Sequence, residues 1–173
     1  MPITPDTKDW TWVLTRPCPE CGFDARTVMV SDVAGFARAN AGVWADALER
    51  DDVRERPNDS TWSPLEYACH VRDVHSLFAE RLVLAMTHEN PVFPDWNQDD
   101  AAVQGQYHNE DPERVVRDLT DAAFASAEAF DAVPAAAAAR TGRRSDGASF
   151  TIETLGQYYV HDIVHHAWDV THD

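Results

Sequence analysis

His161 and His165 stand four residues apart in the run Tyr158-Tyr159-Val160-His161-Asp162-Ile163-Val164-His165-His166-Ala167-Trp168, which no Gly or Pro interrupts. On a helix that spacing brings both imidazoles out on one side, one turn above the other. Two neutral imidazoles so placed can share one ion, and imidazole is a common ligand of zinc, nickel, copper and iron. At about 100° per residue, Tyr158, His161, His165 and Trp168 form one stripe, while Ile152, Leu155, Tyr159, Ile163 and Val170 form the opposite one. A helix that can bury two stripes belongs inside a bundle or between a bundle and a partner. His166 points about 100° away from His165, toward the aliphatic side, and reads as a packed or partly exposed residue.

A third donor must come from elsewhere. His70 lies on the stripe Tyr67, His70, Val74, Leu77 and Arg81, at spacings of three, four, three and four, and is the choice for that ligand. His75 and His88 read as solvent histidines. Pro17-Cys18-Pro19-Glu20-Cys21-Gly22 is one half of a zinc knuckle in form, since its two thiols and its Gly let the chain curl around an ion. It is equally open to a redox pair, or to a tight turn that retains two cysteines. Cys69 neighbours His70 in sequence but faces another way.

Four long helices must position these groups, near 24–49, 64–88, 112–133 and 151–170. Ser63, Pro64 and Glu66 make a capping box with proline in the first turn. Asp111-Pro112 opens the third helix by the same logic, with Val115, Leu119, Phe124 and Phe130 as its apolar face. Thr151 caps the last. Gly35 and Gly42 would mark close helix contacts in the first. Between the second and third, Trp96 could line a pocket mouth. Asp146-Gly147 suits the turn of a small hairpin, and Arg140, Arg143 and Arg144 read as a solvated basic cluster. Residues 1–23 form a lead-in anchored by Trp10 and Trp12, and 24–173 form the bundle.

Composition bounds the function. A chain of 173 residues, 44% hydrophobic and 25% charged, suits one soluble domain. The absence of an apolar leader or a long apolar run argues for a cytoplasmic protein without a membrane partner. A formal charge of −16 disfavours nucleic acid. Three cysteines suggest thiols or a metal, not a disulfide framework. Lys8 is the one lysine, and alanine is abundant, a codon bias of GC-rich genomes such as those of actinobacteria.

The segments Trp62-Ser63-Pro64-Leu65-Glu66-Tyr67-Ala68-Cys69-His70 and Tyr159-Val160-His161-Asp162-Ile163-Val164-His165-His166, with Pro94-Asp95-Trp96-Asn97 between them, resemble the DinB-like superfamily. That superfamily includes bacillithiol-using S-transferases and mycothiol-dependent maleylpyruvate isomerases. The resemblance implies an all-α four-helix bundle and a divalent metal, zinc or nickel, on His70, His161 and His165. It further implies a reaction between a small thiol, mycothiol given the GC-rich bias, and an electrophile. Tyr158 and Asp162 would then orient ligands from outside. A bundle in which the ion is only structural is the alternative, and the two-striped last helix suggests a homodimer.

Overall fold

The structure is a computed structural model that describes residues 3–5 and 9–172; the rest of the lead-in (1–2 and 6–8) and residue 173 lie outside the described residues. Four long helices, α1 (Val33–Leu48), α2 (Pro64–Thr87), α4 (Pro112–Asp131) and α5 (Ile152–Thr171), carry the fold, with a short α3 (Gln98–Gln104) between α2 and α4. The helices α1 and α2 each pack along both α4 and α5, so chain neighbours α1 and α2 sit largely across the bundle from one another. Strands β1 (Thr141–Arg143) and β2 (Ser149–Thr151) pair antiparallel before α5, and their connection turns at Gly147, whose φ of +93° suits glycine.

The helix starts follow their caps. Ser63 Oγ accepts from the Glu66 N–H, and a Glu66 carboxylate oxygen accepts from the Ser63 N–H, closing the capping box ahead of Pro64. Thr151 caps α5 through the Thr154 N–H. Asp111 makes no side-chain cap bond, so Pro112 alone marks the start of α4. The first helix begins nine residues later than the sequence suggests, because residues 25–32 fold into two 3-10 turns (Ala25–Thr27 and Val30–Asp32) separated by extended Val28 and Met29. Those turns are fixed from outside: Asp24 accepts from the Arg26 N–H, and the Val28 carbonyl accepts from Gln157 of α5.

The core is the shared interior of the four helices. Ile152, Leu155, Tyr159, Ile163 and Val170 are buried as their stripe requires. Asn40 ties α1 to α5 by donating to the Ile163 carbonyl at 2.6 Å while accepting from the Trp44 indole. Three expectations fail in the packing. Phe124 is 46% exposed, since Val115, Leu119, Ala123, Ala127 and Phe130 already make the buried stripe of α4 and Phe124 falls about 100° off it. Gly35 and Gly42 face open space, and the close approach is at Gly156, where an added Cβ would meet Val33 at 2.8 Å. His75 is fully buried, not solvated, with Nδ1 2.5 Å from the Tyr159 hydroxyl. Of the basic cluster, Arg140 donates to the carbonyls of Ala85 and His88 at the end of α2, which satisfies acceptors that the helix leaves free.

Candidate metal centre

Helix α5 offers four donors in six residues, and they divide into two pairs. His161 and His165 leave one stripe; Asp162 and His166 leave another about 100° round the helix. The lead-in covers the first stripe and α2 packs along the second, so two clusters form. Cys18, Cys21, His161 and His165 have ligand atoms all within 4.8 Å of one another, and so do His70, Asp162 and His166. The anticipated set of His70, His161 and His165 is thus not gathered at one point. His70 meets Asp162 and His166 because its own helix faces their stripe. The groups beside Cys18 and Cys21 come from α5, and Cys69 is in neither cluster: its Sγ faces the Tyr107 carbonyl at 3.9 Å. His166, read from sequence as a packed or partly exposed residue, is half-buried and stands in the cluster with His70, and so does Asp162, read as an orienting group.

In the α2–α5 cluster, Asp162 Oδ1 is 3.5 Å from His70 Nε2 and 3.7 Å from His166 Nε2. An ion with ordinary zinc bond lengths at a tetrahedral angle would set such N···O distances near about 3.4 Å. At 3.5 Å the His70–Asp162 contact is electrostatic, not a hydrogen bond. Both ring nitrogens of His70, like Asp162 Oδ1, are buried without a hydrogen-bond partner. The His70 ring is walled in by Trp62 and Trp96, with centroids at 5.1 and 5.5 Å. His166 Nδ1 bonds Asp169 Oδ2 at 2.9 Å, which directs Nε2 at Asp162. Burial depresses the His70 pKa against the pull of Asp162. Burial alone would raise the Asp162 carboxyl, but His70 and His166 beside it bring it down to about 2. Neutral imidazole and ionised carboxylate are the ligand forms.

In the lead-in cluster, Cys18 Sγ is 3.7 Å from His165 Nδ1, and Cys21 Sγ is 4.0 Å from His161 Nε2. Burial, reinforced by the neighbouring His165, brings His161 down to about 4, and burial also lowers His165. Burial pushes the Cys21 thiol up to about 11. That is the opposite of the shift that marks an activated redox cysteine.

A cleft of about 830 Å³ opens beside Asp162, lined by Trp10, Arg81, Trp96, Arg144 and Tyr158 among others. Trp96, suggested from the sequence for a pocket mouth, and Tyr158, suggested as an orienting group, both line it. Beyond its place on the His70 stripe, nothing local in the chain marks Arg81 as a cleft residue. It is 8% exposed, its guanidinium stands over the rings of Phe78 and Phe93, and its Nε has no hydrogen-bond partner. A smaller cavity of about 320 Å³ adjoins His165, His166 and Asp169, with Trp10 again in its wall.

The family model for the DinB superfamily matches residues 35–170. The chain belongs to the DinB superfamily. The matched span holds His70 and all four α5 donors but leaves Cys18 and Cys21 outside it. Among solved structures, DinB-like architecture is matched by YfiT from Bacillus subtilis, described as a probable metal-dependent hydrolase with an unusual four-helix bundle topology. The two share 18% identity at a TM-score of 0.73, over 82% of this chain and 83% of YfiT, which establishes the fold. No curated protein matches the chain. Among the described residues, no helix of this DinB superfamily member is long and apolar enough to cross a membrane.

Proposed function

We propose that the chain is a metal-dependent enzyme that holds one divalent ion between His70, Asp162 and His166 and acts on a small molecule with an anionic group. The observation that carries this reading is the set of buried polar atoms without partners, both nitrogens of His70 and Oδ1 of Asp162, beside the large cleft. An unsatisfied buried polar group costs about 1–3 kcal/mol, and a dication would satisfy the atoms aimed at one another. Two imidazoles and one carboxylate suit a borderline ion, zinc or nickel. When bound, such an ion supplies Lewis acidity and brings the pKa of a coordinated water or thiol toward neutrality.

The chain's own groups supply the rest. Asp169 fixes the tautomer and orientation of His166. Trp62 and Trp96 keep water from the inner side of His70. Arg81 remains charged despite burial, with burial and the Arg144 guanidinium holding its pKa below the ordinary arginine value. Among the described residues it makes no carboxylate ion pair within 4 Å, so a substrate carboxylate or phosphate would find its counter-charge there. Burial, then the Asp162 charge, raises the Tyr158 pKa, so its phenol keeps its proton and can donate a hydrogen bond into the cleft. The rim carboxylates Asp95, Asp99 and Asp100 oppose a polyanion.

Hydrolysis is the first reaction to test, since YfiT, of the same fold, is described as a probable metal-dependent hydrolase. Transfer of a mycothiol-like thiol to an electrophile is the second, favoured by a cleft of about 830 Å³, which has room for two small molecules at once. Zinc-loaded protein assayed on anionic esters and amides, and on mycothiol with electrophiles, should turn over one class. His70→Ala and Asp162→Ala should abolish turnover. Arg81→Met should raise KM by about tenfold or more, the loss of one charged hydrogen-bonding anchor. Turnover that survives His70→Ala, or an unchanged KM in Arg81→Met, overturns the reading.

A further inference from the structure

We propose that Cys18, Cys21, His161 and His165 form a second, closed zinc site that fastens the lead-in onto α5 and thereby sets one wall of the cleft. The site is separate from the one proposed for catalysis and does not depend on it. Zinc–sulfur and zinc–nitrogen bonds of ordinary length at a tetrahedral angle place S and N about 3.6 Å apart. Two such pairs, Cys18 with His165 and Cys21 with His161, stand at 3.7 and 4.0 Å, within tenths of an ångström of that spacing, and all four ligand atoms lie within 4.8 Å of one another. The local chain is already shaped for it. The Cys18 N–H donates to the Phe23 carbonyl and the Gly22 N–H to the Cys18 carbonyl, each at 2.9 Å. Gly22 makes the return at φ +73°, in the left-handed region where a side chain is strained.

The donor set selects the ion and its role. Two thiolates favour zinc over the hard cations magnesium and calcium, and four protein ligands leave no position open, the mark of a structural site. Two thiolates, two neutral imidazoles and a dication sum to zero charge, which suits burial. His165 is also oriented from outside: its Nε2 is 3.5 Å from Glu20 Oε2 and 3.7 Å from Asp169 Oδ1, leaving Nδ1 for the ion. Trp10 packs its ring on His161 and His165 at centroid distances of 5.8 and 5.1 Å, and the same Trp10 lines both cavities. Asp169 touches one histidine of each cluster, Oδ2 on His166 and Oδ1 on His165. The position of the lead-in is therefore felt at the cleft through Trp10 and Asp169.

The test is made on the full chain purified with zinc sulfate. X-ray absorption at the zinc edge should contain sulfur scattering at about 2.3 Å beside nitrogen at about 2.0 Å. Replacing zinc with cobalt chloride should give a thiolate-to-cobalt charge-transfer band. The double variant Cys18→Ser/Cys21→Ser should lose one zinc per chain together with the sulfur signal, and hydrogen exchange should speed up over residues 9–28. His70→Ala/His166→Ala should keep the sulfur signal whatever becomes of the catalytic proposal. Should the cysteine variant fail to fold, zinc released from wild-type protein by an organomercurial thiol reagent gives the same count. Zinc spectra without sulfur, no thiolate–cobalt band, or unchanged exchange over 9–28 after zinc loss would overturn the assignment.

Discussion

Replacing Arg56 by Ala should destabilise the protein by about 2–3 kcal/mol at pH 7 and by progressively less as the pH is lowered into the acid range. Arg56 holds Glu66 as a two-pronged pair, Nε to Oε2 at 2.8 Å and Nη2 to Oε1. The Glu66 side chain is 3% exposed and that of Arg56 24%. Removing one partner of a buried pair costs about 3–5 kcal/mol. The partial exposure of the guanidinium and the bonds that Glu66 keeps from Ser63 reduce that to about 2–3 kcal/mol, or about 4–12 °C in Tm for a chain of this size. The pH dependence follows from the sign of the shift. Burial raises the Glu66 pKa, but the Arg56 pair and the Ser63 bonds outweigh it and hold the carboxyl below its ordinary value. The pair's contribution is therefore complete above the unfolded value of about 4.3 and is lost as pH falls through the lower folded value. Urea titrations of wild type and variant, compared at each pH so that metal terms common to both cancel, read the difference directly. A gap below about 0.5 kcal/mol at pH 7, or one that does not narrow in acid, would refute the reasoning.

Two further substitutions probe the packing behind the site. Tyr159→Phe should lower stability by about 1–3 kcal/mol, because His75 Nδ1 loses the Tyr159 hydroxyl while Nε2 already lacks a partner; metal content, measured by elemental analysis, should stay the same. Gly142→Ala should cost about 1–3 kcal/mol in a thermal melt, since its Cβ would come within 2.3 Å of the buried Phe93 ring, one of the rings under Arg81. A melt equal to wild type would mean that the ring yields freely.

The helices were legible because their signals are local: Ser63 to Glu66, Pro112 and Thr151 each act within one turn of chain. The bundle order was not, since which helices adjoin is settled by long-range packing. The same division separates the donors from their grouping. Every donor of the two clusters was in view, but the HxxxH spacing at 161 and 165 drew attention from the equal spacing of Asp162 and His166. Helical phase alone cannot say which stripe α2 will face. Two signals could have resolved it: a CxxC lacking its second pair of ligands, and an HxxxH lacking its own. The structure brings the two side by side. The angle of His75 from His70 suggests solvent, whereas α2 buries both sides.

If the ion of the cleft is held by His70, Asp162 and His166, an anomalous difference map at the zinc edge, from crystals of the zinc-loaded chain, should show it. The expected peak lies between His70 Nε2, Asp162 Oδ1 and His166 Nε2. No peak there, or one peak shared by His70, His161 and His165, would contradict that assignment.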